Sequence, residues 1–305
     1  MKTFRAIAFF AFASLAVCSI HAQAACGPHG TRASMLVTTD WLAAHLNDPK
    51  LVILNIGDKT DYDAAHIPGA QFIQMQDVNQ RQDAEGLSLQ LMPPDKAAEA
   101  IAKFGISNDS RVILYPSKDW FSPMTRIYLT LDSIGLGAQT SILDGGLPAW
   151  TKESRKVTQD VPHPAAGTIK PCANSDVVTT ISDVQSNIKK SGVAIVDGRD
   201  FEFYSGEKKS FDKGGHVPGA GSLPFTTVFD ADGKLKSPDT LESMFRTAGV
   251  KKGDRVIVYC HIGQQATAVY FSARTLGYNV QLFDGSWQEW TKKDMPIETG
   301  AQAHQ

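Results

Sequence analysis

The chain has 305 residues, enough for two ordinary domains that each bury a core. Hydrophobic residues make up 42% and charged residues 20%, which excludes a disordered chain. The formal net charge of -2 gives no electrostatic case for a nucleic-acid partner or an anionic membrane.

Residues 1–24 read as a secretory signal peptide. Lys2 and Arg5 are basic, Ala6 to Ile20 is an almost unbroken apolar run, and Ala22-Gln23-Ala24 supplies small residues for a cut after Ala24. The run is too short for a membrane span. Val17 before Cys18 is too bulky for a lipoprotein cut, and Gln23 is wrong three residues before Cys26. The expected location is therefore periplasmic or secreted, with no membrane attachment after cleavage. Cys18 leaves with the leader, so Cys26, Cys172 and Cys260 remain, an odd number in a compartment that permits disulfides.

A first domain is expected over residues 25–155. It opens on Val37-Thr38-Thr39 before an amphipathic stretch. Asn55-Ile56-Gly57 follows, and then an acidic cluster from Asp58 to Asp63 that reads as a solvated loop. Next come His66-Ile67-Pro68-Gly69-Ala70, a strand signal from Arg111 to Tyr115 ending at Pro116, and Leu143-Asp144-Gly145-Gly146 with Trp150. Residues 156–175, with Pro162, Pro164, Gly167 and Pro171, read as a linker.

Residues 176–305 repeat the pattern in the same order. Val178-Thr179-Thr180 opens this half, followed by a short apolar run, Ala194-Ile195-Val196, before Asp197-Gly198-Arg199. His216-Val217-Pro218-Gly219-Ala220 follows, then a β-branched strand from Arg255 to Tyr259, and Phe283-Asp284-Gly285-Ser286 with Trp290. Ordered duplication of this kind marks a tandem repeat. After Tyr259 come Cys260, a short loop, a helix starting near Ala266 and ending by Gly277, and another strand at Gln281-Leu282-Phe283. Strand, loop, helix and strand in this order imply an α/β fold with a parallel sheet covered by helices.

Cys260 is the candidate nucleophile. In such a sheet, ligands bind where a strand ends and the next helix begins. The loop His261-Ile262-Gly263-Gln264-Gln265 must turn sharply, and Gly263 gives it the freedom to do so. A tight loop leading into a helix can aim several backbone N–H groups at one point, which favours an anionic sulfur there. No metal or cofactor is needed.

The duplicated His-x-Pro-Gly-Ala segments, the strand-ending Cys260 and the Asp-Gly…Trp endings resemble the tandem-domain rhodaneses, the thiosulfate and 3-mercaptopyruvate sulfurtransferases. The resemblance covers nearly all of the mature chain. It implies two rhodanese-like domains, each a five-stranded parallel sheet flanked by helices. It also implies an inactive first domain and a persulfide on Cys260, loaded by a small anionic sulfur donor and unloaded by a thiophilic acceptor such as cyanide or a thiol. Pro116 stands where Cys260 would be, and Asn55-Ile56-Gly57 replaces Asp197-Gly198-Arg199, as an inactive domain requires. In the family the His66 and His216 motif is largely structural. Trp150 and Trp290 are expected in the core.

The resemblance further implies Arg199, His261, Ile262, Gly263, Gln264 and Gln265 as the substrate-binding set. Thiosulfate enzymes carry a cationic loop and mercaptopyruvate enzymes a small neutral one; this loop matches neither, and Phe203 replaces a second arginine. Lys208 and Lys209 lie nearby. Thiosulfate is preferred because His261 can carry charge and Gln264 and Gln265 can donate to sulfonate oxygens. Related phosphatases need an arginine where Ala266 stands. A non-catalytic sulfur-binding or scaffold protein would explain the inactive half but not an intact cysteine loop. With Cys260 free to work, Cys26 and Cys172 become disulfide candidates, flanking the first domain, whose ends are expected to lie close together.

Overall fold

The computed structural model describes residue 26 and residues 30–300, so the signal peptide expected over residues 1–24 lies outside the described residues. Two five-stranded sheets form, each from one repeat. The first contains β1 (Leu36–Val37), β2 (Leu51–Ile56), β3 (Ala70–Phe72), β4 (Arg111–Pro116) and β5 (Thr140–Leu143) in the order β1-β5-β4-β2-β3. The second contains β6 (Val178–Thr179), β7 (Val193–Asp197), β8 (Gly221–Ser222), β9 (Arg255–Tyr259) and β10 (Asn279–Phe283) in the order β6-β10-β9-β7-β8. Every pairing is parallel. The central strands are apolar on both faces because helices cover both sides.

The repeats share their polar fastenings. Tyr62 and Tyr204 each donate a hydroxyl hydrogen bond, 2.8 Å long, to the carbonyl of Ala70 or Ala220. Each tyrosine stacks at 3.9 Å on its own histidine, His66 or His216. Those histidines are buried and donate from Nδ1 to Tyr62 O and Tyr204 O, so they pin a turn rather than face a cleft. Trp150 and Trp290 fill equivalent core positions, each donating its indole N–H to a carbonyl at 2.8 Å.

The domains meet through two long helices, Phe121–Ser133 and Ala266–Thr275, buried along nearly all their lengths. Thr125 and Thr267 hydroxyls meet at 2.8 Å, the Tyr128 and Phe271 rings pack edge to face, and Tyr270 donates to Asp132 Oδ2 at 2.7 Å. Each domain also sends a loop to the other's Asp-Gly turn. Leu91 N–H donates to Asp284 Oδ2 at 3.0 Å, and Leu235 N–H donates to Asp144 Oδ1 at 2.9 Å.

Two sequence readings change. The presumed linker is a strap laid along the first domain. Thr158 pairs with His66, Gly167 N–H donates to Ala102 O, Lys170 N–H to Asn108 Oδ1 and Cys172 N–H to Ile134 O. Its prolines keep it extended, while Val157 and Ile169 add apolar anchors. The acidic cluster is not a loop but the helix Lys59–Ala64 with Tyr62 buried, its charges met by Lys59–Asp63 and Lys118–Asp61 pairs. Cys26 and Cys172 are joined, with Cα atoms 5.6 Å apart across 146 residues of sequence. Among the described residues no helix is long and apolar enough to cross a membrane.

Candidate active site

Cys260 follows β9 directly and is fully buried as the free cysteine of the described residues. Its N–H donates to Ser286 Oγ at 3.1 Å. The carbonyls of Cys260 and His261 accept from Trp287 and Gln288 N–H, each at 2.9 Å. These bonds tie the start of the loop to the helix Ser286–Lys292. None of the N–H groups from His261 through Gln265 has an acceptor among the described residues. The loop is half-buried apart from Gly263, and its unpaired donors are available to an anion held at the cysteine. Gly263 has φ +78°, and a Cβ there would lie 2.6 Å from Asp284 O, so only glycine closes this loop against its neighbour.

The first domain shows the same site dismantled. Pro116 has no N–H, and Ser117 N–H is consumed by Ile56 O at 2.9 Å. The Ser117 hydroxyl pairs with Asn55, and a Cβ on Gly146 would meet Pro116 O at 2.7 Å. Both donors of Ser117 are thus engaged by the first domain itself.

Arg199 is fully buried on Asp197. Its Nε lies 3.0 Å from Asp197 Oδ1, its Nη2 donates to Gly215 O at 2.6 Å, and its guanidinium sits 4.3 Å from the Trp287 ring centroid. One nitrogen, Nη1, is buried without a partner. Its counterpart region cannot build this pair, because Asn55 holds the position of Asp197 in the register with Tyr115.

His261 does not bring the positive charge expected of it to the loop. Burial pushes its imidazole down to about 4, and the nearby Arg199 cation adds to the shift. His261 is therefore neutral at pH 7, bonded at Nδ1 to Ser210 Oγ (2.9 Å) and edge-on to Phe203 at 4.7 Å. Ile262, Gln264 and Gln265 are half-buried in the loop. Gln264 Nε2 donates to Ser122 Oγ of the first domain at 3.2 Å, which leaves its second N–H for other use. Gln265 Oε1 is buried without a partner. Lys208 and Lys209 are exposed; the Lys208 ammonium lies 3.9 Å from Glu202 and 6.0 Å from the centre of the Phe203 ring that packs on His261.

Sequence reasoning missed Arg126. This first-domain arginine is fully buried and donates from Nη1 to Gly263 O at 2.9 Å, inside the cysteine loop. The available signal was a lone cation in the apolar stretch Met124-Thr125-Arg126-Ile127-Tyr128-Leu129. Among the described residues no cluster of three or more metal-ligating side chains occurs.

Comparison with known proteins agrees with this geometry. The family described as a rhodanese-like domain matches twice, over residues 38–153 and 180–293. The chain is 30% identical over 272 residues to the sulfur carrier protein TtuD of Thermus thermophilus, covering 84% of this chain and 93% of that protein. It is 30% identical over 277 residues to 3-mercaptopyruvate sulfurtransferase of Escherichia coli, covering 86% and 97%. Thiosulfate sulfurtransferase of Azotobacter vinelandii is 28% identical over 262 residues, covering 84% and 94%. The solved structure of the Escherichia coli 3-mercaptopyruvate enzyme superposes with TM-score 0.72 at 28% identity, covering 83% of this chain and 99% of that one. An anaerobic ergothioneine biosynthesis enzyme of Chlorobium limicola shares the fold, with TM-score 0.79 at 18% identity over 89% of this chain and 71% of that one.

Proposed function

The chain belongs to the rhodanese-like family and carries its domain in tandem, and we propose that it is a sulfurtransferase working through a Cys260 persulfide, with thiosulfate as donor. The observation that carries this reading is the row of unpaired N–H groups in the loop that begins at buried Cys260. In the first step the Cys260 thiolate attacks the outer sulfur of thiosulfate. A Cys260–sulfur bond forms, the donor's S–S bond breaks, and its electron pair leaves with sulfite. The terminal persulfide anion then rests on the loop N–H groups. In the second step cyanide or a thiolate takes the outer sulfur, and the Cys260 thiolate is regenerated. Negative charge stays in one place throughout, so fixed N–H dipoles serve both steps without reorganising.

Gln264 and Gln265 side-chain N–H groups, together with the unpartnered Arg199 Nη1, support an anionic donor. A second reading, 3-mercaptopyruvate, is favoured by the neutral His261 and by Phe203 beside it. A leader over residues 1–24 and the Cys26–Cys172 bridge support an exported protein.

The test is a side-by-side donor assay. Thiosulfate should yield sulfite faster than 3-mercaptopyruvate yields pyruvate, mass spectrometry should find one added sulfur on the Cys260 peptide, and Cys260→Ser should lose both. Pyruvate release dominating would transfer the assignment to the second reading. A folded protein inert to every sulfane donor would instead be a binding or scaffold protein.

A further inference from the structure

We propose that Arg126, from the domain that lacks a nucleophile, is a positioning residue that sets the peptide orientation of the Cys260 loop. The inference rests on sulfur transfer through Cys260. Arg126 Nη1 reaches both Gly263 O (2.9 Å) and Asp284 Oδ1 (2.5 Å). Its Nε donates to Asn79 Oδ1 at 3.0 Å, and Nη2 donates to Leu89 O. The guanidinium is fully buried, so every one of these bonds is made in a low-dielectric seam.

The consequence follows from the planarity of the peptide. No cis peptide occurs among the described residues, so the Gly263–Gln264 unit is trans, with its C=O and N–H on opposite edges. Holding Gly263 O on Arg126 therefore turns Gln264 N–H away from Arg126. That N–H is one of the unpaired loop donors. Gly263, at φ +78°, has no side chain to resist rotation of this unit. Without the clamp, the unit can rotate and present an oxygen where a donor belongs, which repels an anionic sulfur.

The repeat supplies an internal control. Thr125 and Thr267 face each other across the helix pair, and Gly135 and Gly277 end the two helices with φ +85° and +77°. In that alignment the counterpart of Arg126 is Ala268. Both Asp-Gly turns receive a leucine N–H from the opposite domain, at Asp284 and at Asp144. Asp284 is met directly by an arginine; at the other seam Arg32 donates to Leu235 O and Lys236 O instead, and among the described residues no cation forms a salt bridge with Asp144 itself, which burial pushes above the ordinary carboxylate range. The two arginines differ in what they hold: Arg32 holds the docking loop of the other domain, whereas Arg126 also holds a carbonyl of the Cys260 loop.

The experiment compares full-length wild type, Arg126→Lys and Arg126→Met in the thiosulfate–cyanide assay, with thermal melts alongside. Arg126→Met should lose about tenfold or more in kcat, with the thiosulfate KM changed less than about threefold, and Arg126→Lys should recover part of the loss. If Arg126→Met does not fold, Arg126→Lys and Asn79→Ala decide, because both loosen the clamp and should lower kcat while leaving KM close to its wild-type value. Folded variants that keep kcat, or that lose activity only through a raised KM, overturn the proposal. Wild type that gains no sulfur on Cys260 from either thiosulfate or 3-mercaptopyruvate overturns the sulfur-transfer reading beneath it.

Discussion

At the scale of single residues, desolvation decides what His261 can do. An ordinary histidine titrates near 6.5, whereas burial, reinforced by Arg199, brings this one to about 4. Between those values the unfolded chain binds a proton that the folded chain refuses. Stability from this group is thus fully present above about pH 6.5 and is lost as pH falls towards 4. His216 is depressed in the same direction by its own burial, and adds to the same acid-side loss. An NMR titration should show the His261 ring unprotonated down to about pH 5, and kcat/KM for thiosulfate should carry no inflection from it between about pH 5.5 and 8. A ring midpoint near 6.5 would restore the charged loop. The sequence named His261 as a contact residue but could not show its charge, because charge depends on what covers the ring.

At the scale of elements, the unit that matters is β9, its loop and the helix Ala266–Thr275. This much was legible. Arg255 to Tyr259 is β-branched and apolar, Gly263 marks the turn, and Ala266, Val269, Tyr270 and Ala273 keep helical spacing up to Gly277. Not legible was the direction of each carbonyl, which Trp287, Gln288 and Arg126 set from outside the element. The side-chain donors in the loop can be tested separately from the backbone. Gln264→Ala with Gln265→Ala should lower kcat/KM for thiosulfate by about three- to tenfold, the cost of lost hydrogen bonds to an anion. Unchanged kinetics in the folded double variant would leave recognition to the backbone alone.

At the scale of the molecule, the chain is a repeat whose halves differ in the loop that follows their central strand. The first domain carries Ser122, Thr125 and Arg126 on one helix face, and each of them bonds the half that holds Cys260. The strap of residues 156–175 and the bridge from Cys26 to Cys172 hold the ends of that domain together. Closing a 146-residue separation restricts the unfolded chain, a contribution of about 2–4 kcal/mol. Thiol counting on unfolded, export-purified, donor-free protein should find one reactive thiol, at Cys260, and reduction should lower the melting temperature by about 5 °C or more. Three reactive thiols before reduction would rule the bridge out.

The sequence by itself determined the tandem α/β architecture, the place of Cys260 between a strand and a helix, and the proline at the matching place in the other half, because each is written in local pattern: alternating strand and helix periodicity and ordered motifs. The tertiary structure alone decided the neutrality of His261, the packing of Arg199 on Trp287, the packing of the strap, and the reach of Arg126 into the loop. Those are properties of burial and of contacts between residues far apart in the chain, 137 positions in the case of Arg126 and Gly263, and no local pattern encodes them.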